Sequence, residues 1–300
     1  MATASAAPAD RFEPVPARAQ VSLWSDAWRR LRRNRLAWIS AFYLGFVFIT
    51  AIVSLIWTPY STSHLGVVVP YAGPSGSHPL GGDQYGRDIV SRLMEGARTS
   101  MTVGVGTQIV VLAVGVTVGL LAGYFRGWFD TVVTLVINIF YGIPDLLVAL
   151  ILVFLIGQGS LGTIIFAIAV TRWMDMARLV RGQTLSIRER EFVEAAKASG
   201  AKPRKIIFGH ILPNALGPII VQATIGVPSA ILFEAFMSFL GLGVQPPTAS
   251  WGSMAADGVN AIRIAPHIVL APSIALMVTL MAFNFLGDGL RDALDPRQRR

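Results

Sequence analysis

The sequence predicts an all-α integral membrane protein with six transmembrane helices, both termini cytoplasmic, and a helical loop between the fourth and fifth spans. Three observations carry this prediction. Hydrophobic residues make up 53% of the 300 and charged ones 14%, against about 25% charged in an average soluble domain. Six apolar runs approach or exceed the ~20 residues that a helix needs to cross a hydrocarbon core. Finally, all but four (Arg87, Arg92, Arg98 and Arg263) of the 25 Lys and Arg residues fall in segments on one side of those runs, and positive residues are retained on the cytoplasmic side. The same figures argue against a soluble globular enzyme and against a disordered chain, which needs low hydrophobicity. The net charge of +8 invites a nucleic-acid reading, but basic residues scattered between long apolar runs do not build one solvated face. With no cysteine there is no disulfide framework, thiolate metal site or Cys nucleophile.

In chain order, residues 1–21 are Ala/Pro-rich and predict a disordered tail. Over 22–36, Trp24, Trp28 and Leu31 recur at helical spacing among arginines. That pattern suits an amphipathic helix on the inner leaflet of the lipid bilayer or, equally, an extension of the first span. The first apolar run, 37–57, is too long for a cleaved signal peptide and reads as a retained anchor. Residues 58–100, rich in Gly, Pro and Ser, predict an extracytoplasmic segment that caps the outer mouth or serves as a surface loop. A five-helix core over 101–286 follows, with spans near 101–124, 135–156, 161–176, 216–240 and 268–286. The fourth is the shortest and carries Arg172 and Asp175 towards its end. Residues 287–300 are a cytoplasmic tail.

Within the spans, Gly115, Gly119 and Gly123 form two overlapping small-xxx-small units, which predict a close helix–helix seam. Pro144, Pro218, Pro228 and Pro272 each remove a helical hydrogen bond and predict kinks. Two acids lie at membrane depth. Ionised acids there cost roughly 2.5–3.5 kcal/mol on insertion scales, so they face water or a partner. Asp145, beside Pro144, is a candidate for the translocation path or for a structural hydrogen bond. Glu234, nearer the outer end of its span, is a weaker path candidate and reads first as structural.

The loop over 186–212 is the most informative segment. Residues up to Ser199 are good helix formers. Gly200 suits the left-handed residue that ends a helix, and Pro203 suits the first turn of the next. A helix, a glycine turn and a second helix leading into the fifth span are therefore expected. Ala195 and Ala196 give a small smooth surface beside Glu194. Such a helix could dock into a groove on another protein or lie solvated as a connector.

The order Glu194-Ala195-Ala196, three residues, Gly200, eleven residues, Leu212-Pro213 resembles the cytoplasmic loop motif (the EAA motif) of bacterial ABC importer permeases. His210, where that pattern usually has Ile, and the run to Asn214 resemble the dipeptide and oligopeptide branch of this binding-protein-dependent transport family. Further segments resemble the same branch: 83–88 through Arg92, Gly96-Ala97-Arg98, Glu234-Ala235, 238–243, Ser250-Trp251-Gly252, and 287–297. The resemblance implies half of a translocation pathway, paired with a second homologous permease in a heterodimer. It also implies two cytoplasmic ABC ATPase subunits docked on the coupling loop through Glu194, Ala195, Ala196, Gly200 and Pro203. An extracytoplasmic solute-binding protein, a further candidate contact for the outer segment 58–100, would deliver di- or oligopeptides, and the location would be the bacterial inner membrane. Nickel or other small solutes are alternative cargoes within the same family.

No enzymatic motif accompanies these features. The sequence contains no G-x-x-x-x-G-K-[ST] phosphate cradle and no H-E-x-x-H, nor a G-x-S-x-G elbow. Its four histidines are scattered. ATP hydrolysis is expected in partner subunits, with no cofactor on this chain. An ion-coupled secondary transporter is the competing class, but such proteins often show internal repeats, and none is evident between the two halves.

Overall fold

The computed structural model describes residues 23–157 and 159–294. The predicted tail 1–21 and the end of the predicted tail 287–300 lie outside the described residues. Among those described, the secondary structure is helical, with one isolated β-bridge between Gly82 and Asp88.

Helix α1 (Leu23–Arg33) and α2 (Arg35–Val53) are separate. Asn34 parts them: its backbone is extended, and its side chain accepts from the Ala37 amide at 3.1 Å, an N-cap that starts α2 afresh. The basic segment before the first span is thus its own helix. α3 (Ile89–Phe125) has 37 residues, about 55 Å at 1.5 Å per residue. It begins three turns earlier than the hydropathy suggested, because Asp88 caps it through the Ser91 amide.

α4 (Gly127–Tyr141) and α5 (Asp145–Ile156) correct the third expected span. The apolar run is two helices meeting at 91°. Pro144 disfavours the α conformation at Ile143 and offers no N–H, so the expected kink is a full break. α6 (Leu161–Arg188) runs well past residue 176, where apolarity ends. α7 (Glu191–Ala198) and α8 (Pro203–Ile206) follow. A π-helical turn at Ile207–Ile211 joins α8 to α9 (Leu212–Phe239), which absorbs Pro218 and Pro228 internally. α10 (Trp251–Gly258) is short, and α11 (His267–Leu294) carries Pro272 and extends past the predicted end of its span. Among the described residues, four helical stretches are long and apolar enough to cross a membrane, and five if the bent pair counts as one.

α3 is the central post. The expected glycine seam lies against α6. A Cβ on Gly115 would stand 2.6 Å from the Cβ of Met176, one on Gly119 2.6 Å from the Ala177 carbonyl oxygen, and one on Gly123 2.7 Å from the Cβ of Thr184. Lipid cannot drive two apolar helices together as water does, so this close backbone approach supplies the packing. Nearer its start, α3 meets α9 at Gly104, where a Cβ would strike Ile231. Around this post the large apolar side chains of α2, α4, α5 and α9 stay exposed, among them Phe42, Ile49, Leu135, Phe154 and Phe236. A belt of that kind suits lipid or a partner helix, not water.

Candidate functional site

The loop after α6 is built as its local chemistry predicts. Gly200 has φ +78°. The Ala201 amide donates to Ala196 O at 3.0 Å and the Gly200 amide to Lys197 O at 2.9 Å, the paired bonds of a Schellman ending. Pro203 opens α8. One residue anchors α7: Val193 is fully buried in a cluster with Leu120, Val180, Ile187, Ile206, Ile207 and Ile211. Glu194 and Ala195 are exposed and Ala196 is half-buried. The corner before α7 is clamped to the α3–α4 connection, since Arg126 pairs with Glu189 and Arg188 donates to Tyr124 O. The result is a short, anchored helix with one presented face. Phe192 and Phe208 lie beside it, also exposed.

A second feature lies along the middle of α6. Residues 172, 175, 178 and 181 of α6 form a polar ladder with α4 and α5. Arg172 pairs with Asp145 at 3.1 Å. Asp175 accepts from the Tyr141 hydroxyl, Arg178 donates to Asn138 at 3.1 Å, and Arg181 donates to Asp130 through two nitrogens. The partners descend α4 as the α6 residues ascend, so the ladder is antiparallel. Asp145, the first residue of α5 after the break, is half exposed. Behind the ladder, a crevice between α3, α6 and α9 is lined by Thr107, Gln108, Arg172, Asp175, Gln222 and Ser229 among others.

Glu234 is placed elsewhere. It is fully buried and accepts from the Ser238 hydroxyl at 2.6 Å and the Ser250 hydroxyl at 2.7 Å. Ser250 also caps α10 through Ser253. The Trp251 indole donates to Leu93 O, the Trp251 amide donates to the Ser100 hydroxyl, and its ring leaves no room for a Cβ on Gly96. Segments far apart in sequence, 96–98, 234–238 and 250–252, thus form one junction of α3, α9 and α10. The segment before α3 is similarly knotted. Arg87 Nε donates to Asp83 at 2.6 Å, while Asp88 holds His78 at 2.9 Å and the Ser91 amide and hydroxyl at 2.8 Å each. All of these side chains are buried.

A family model described as "Binding-protein-dependent transport system inner membrane component" matches residues 115–300. The chain belongs to that family. A second model, the N-terminal TM domain of oligopeptide transport permease C, matches residues 22–74 of this permease. It is 46% identical over 285 residues to the dipeptide transport system permease protein DppC of Bacillus subtilis, covering 94% of this chain and 88% of that one. It is 39% identical to the oligopeptide transport system permease protein OppC of the same organism, covering 98% and 99%. With the Escherichia coli OppC the identity is 42%, covering 93% and 92%. Its fold resembles that of a chain of the inward-facing MetNI methionine ABC transporter, with a TM-score of 0.57 at 21% identity, covering 68% of this chain and 96% of that one.

Of the residues singled out from sequence, the structure brings Glu194, Ala195, Ala196, Gly200 and Pro203 onto one loop. It sets Asp145 beside Arg172 and leaves Glu234 in a separate buried junction. The ladder itself escaped sequence reasoning. Its signal was present as four charged residues at a spacing of three in the permease's α6, but the partners lie across a break that hydropathy did not resolve.

Proposed function

We propose that this permease forms half of the translocation route of an ATP-driven importer for di- and oligopeptides in the bacterial inner membrane. The observation that carries the reading is the anchored, exposed α7 helix with its Gly200 turn, in a chain similar throughout to permeases of peptide transport systems. The proposed topology has six spans, with the bent pair and α6 as the third and fourth and both termini cytoplasmic. In this topology the Lys/Arg-rich α7–α8 loop lies inside and the knotted segment before α3 outside. A second, related permease would complete the pathway. Two cytoplasmic ATPase subunits or domains would dock on α7 through Glu194, Ala195 and Ala196, and an extracytoplasmic solute-binding protein would deliver the peptide. Each nucleotide state would favour one permease conformation through its difference in binding free energy.

Asp145 is assigned to the path, because it is half exposed at a helix break beside a polar crevice. Glu234 is assigned to holding α9 to α10. Purification in mild detergent tests the assembly: a second permease and P-loop ATPases are expected to accompany the chain, and their absence would refute it. Glu194→Lys is expected to reduce the co-purified ATPase by about fivefold, the effect of roughly 1 kcal/mol at an interface. Undiminished recovery would remove that charge from docking.

A further inference from the structure

We propose that the crevice between α3, α6 and α9 is a binding site for the carboxylate end of the transported peptide, with Arg172 as its anchor. This rests on the peptide-importer reading above and goes beyond it in naming the site and the chemical group it takes.

The crevice lies near the middle of all three helices, at residues 107–111 of α3, 172–176 of α6 and 222–230 of α9. Two buried polar atoms on its facing walls have no hydrogen-bond partner: Arg172 Nε and Thr107 Oγ1. A buried unsatisfied polar atom costs about 1–3 kcal/mol, and two on one niche mark a place prepared for a polar guest. The amides of Gln108 and Gln222 add further donors, while the Ser229 hydroxyl on the same wall donates to Ile225 O at 3.2 Å. The niche leaves about 50 Å³ accessible to water, which suits one small polar group. The rest of a peptide must lie beyond it, on the side of the α4–α5 break.

The anchor is charged and its present partner is replaceable. Arg172 meets Asp145 through one terminal nitrogen at 3.1 Å, with the two side chains 31% and 48% exposed. Its guanidinium carbon sits 4.9 Å from the centre of the Phe233 ring, which fixes the plane of the fork. A guanidinium can hold a carboxylate through two parallel N–H···O bonds, and here only one edge is in use. The partly exposed ion pair itself is of small net worth, so exchanging it costs little. The incoming carboxylate takes Arg172, including the unused Nε, and releases the Asp145 carboxylate to water. Asp175, turned aside by Tyr141, does not compete for the fork. The reverse exchange, with Asp145 returning to Arg172, expels the peptide. A transport site needs that balance, because a ligand held too firmly is not released.

The chain has no cysteine, so Ser229→Cys places a single thiol on it at the crevice wall. In the full complex with its partner subunits, labelling of that thiol by a small maleimide is followed by mass. Alanyl-alanine is expected to slow labelling, by about tenfold at ten times its dissociation constant, and alanyl-alaninamide to leave it unchanged. Arg172→Gln should abolish the protection, whereas Arg172→Lys, which keeps the charge and the fold, should retain part of it. Asp145→Asn, which removes the competing carboxylate, should give the same protection at a lower peptide concentration. The proposal is overturned if the amide protects as well as the free acid, if protection survives Arg172→Gln, if Asp145→Asn abolishes it, or if no peptide protection is seen in a complex that imports alanyl-alanine. Failure of the unmodified complex to import any peptide would instead overturn the functional reading beneath it.

Discussion

Replacing Gly200 with Val isolates one physical cause. The residue has φ +78° and no atom lies within 4 Å of where a Cβ would sit, so the substitution meets no steric obstacle. What it meets is the backbone: left-handed geometry costs an L-residue about 1–2 kcal/mol, and a β-branched side chain is stiff there as well. The paired turn bonds, Ala201 N–H to Ala196 O and Gly200 N–H to Lys197 O, depend on that geometry. A penalty of that size shifts the turn equilibrium about 5- to 30-fold. α7, with 8 residues, is far too short to be stable as an isolated helix, so losing its C-terminal turn loosens the whole element around Val193. Two measurements in proteoliposomes holding the full complex check this. Peptide imported per ATP hydrolysed should fall severalfold while membrane insertion is unchanged, and the Ala201 amide should exchange its hydrogen about 5- to 30-fold faster, in proportion to the turn population. Gly200→Asn, which tolerates the left-handed region, should stay near the unmodified protein in both. Unchanged coupling in Gly200→Val would refute the mechanical role of the turn, and a Gly200→Asn as damaged as Gly200→Val would refute the conformational cause.

Three other pairs of substitutions probe the scaffold. Gly119→Val sets a Cβ 2.6 Å from the Ala177 carbonyl oxygen and should lower thermal stability in detergent by about 1–3 kcal/mol, whereas Gly182→Ala, with open space around it, should not. Glu234→Gln keeps an oxygen for the Ser238 and Ser250 hydroxyls and should preserve both fold and uptake, while Glu234→Leu leaves them unpaired and costs about 1–3 kcal/mol. Loss of uptake by a stable Glu234→Gln would move that carboxyl onto the path. Arg87→Met leaves the buried Asp83 carboxylate with Arg92, at 3.6 Å, as its remaining ion-pair partner among the described residues, and should cost about 3–5 kcal/mol in melting experiments, against less than about 1 kcal/mol for the partly exposed Arg98→Met.

The sequence was most legible where local chemistry decides the structure. Gly200 and Pro203 each do one thing to the backbone, and no distant residue alters it. The spacing of Gly115, Gly119 and Gly123 likewise admits one packing face. Legibility failed where charged residues find partners that a hydropathy window does not see. α6 was cut short at residue 176 because Arg172, Asp175, Arg178 and Arg181 look expensive in a membrane, yet each is matched across the ladder by Asp145, Tyr141, Asn138 or Asp130. α3 was started late for the same reason, since Arg87, Asp88 and Arg92 form a buried knot at its head. The break at Gly142-Ile143-Pro144 had a local signal, but whether a proline bends a helix or ends it depends on what the two halves pack against.

The same contacts settle where a displacement of α7 must be felt. The clamp of Arg126 on Glu189 and the bond from Arg188 to Tyr124 O tie the foot of α6 to the foot of α3. Above it, three glycines press the two backbones together over Met176, Ala177, Val180 and Thr184. A seam packed so closely resists continuous deformation, so α3 and α6 are expected to move as one body. Arg172 lies 16 residues along α6 from Arg188, about 24 Å at 1.5 Å per residue, so a push on α7 of the kind proposed above would be expected to reach the crevice through α6. What gives way is expected to lie at the border of that body, where two neighbouring elements are weakened by proline: α4–α5, fully broken at Pro144, and α9, with Pro218 and Pro228 inside it. The Arg172–Asp145 pair spans that border. Movement of one side against the other would stretch this 3.1 Å ion pair, and would then couple opening of the break to exposure of the arginine.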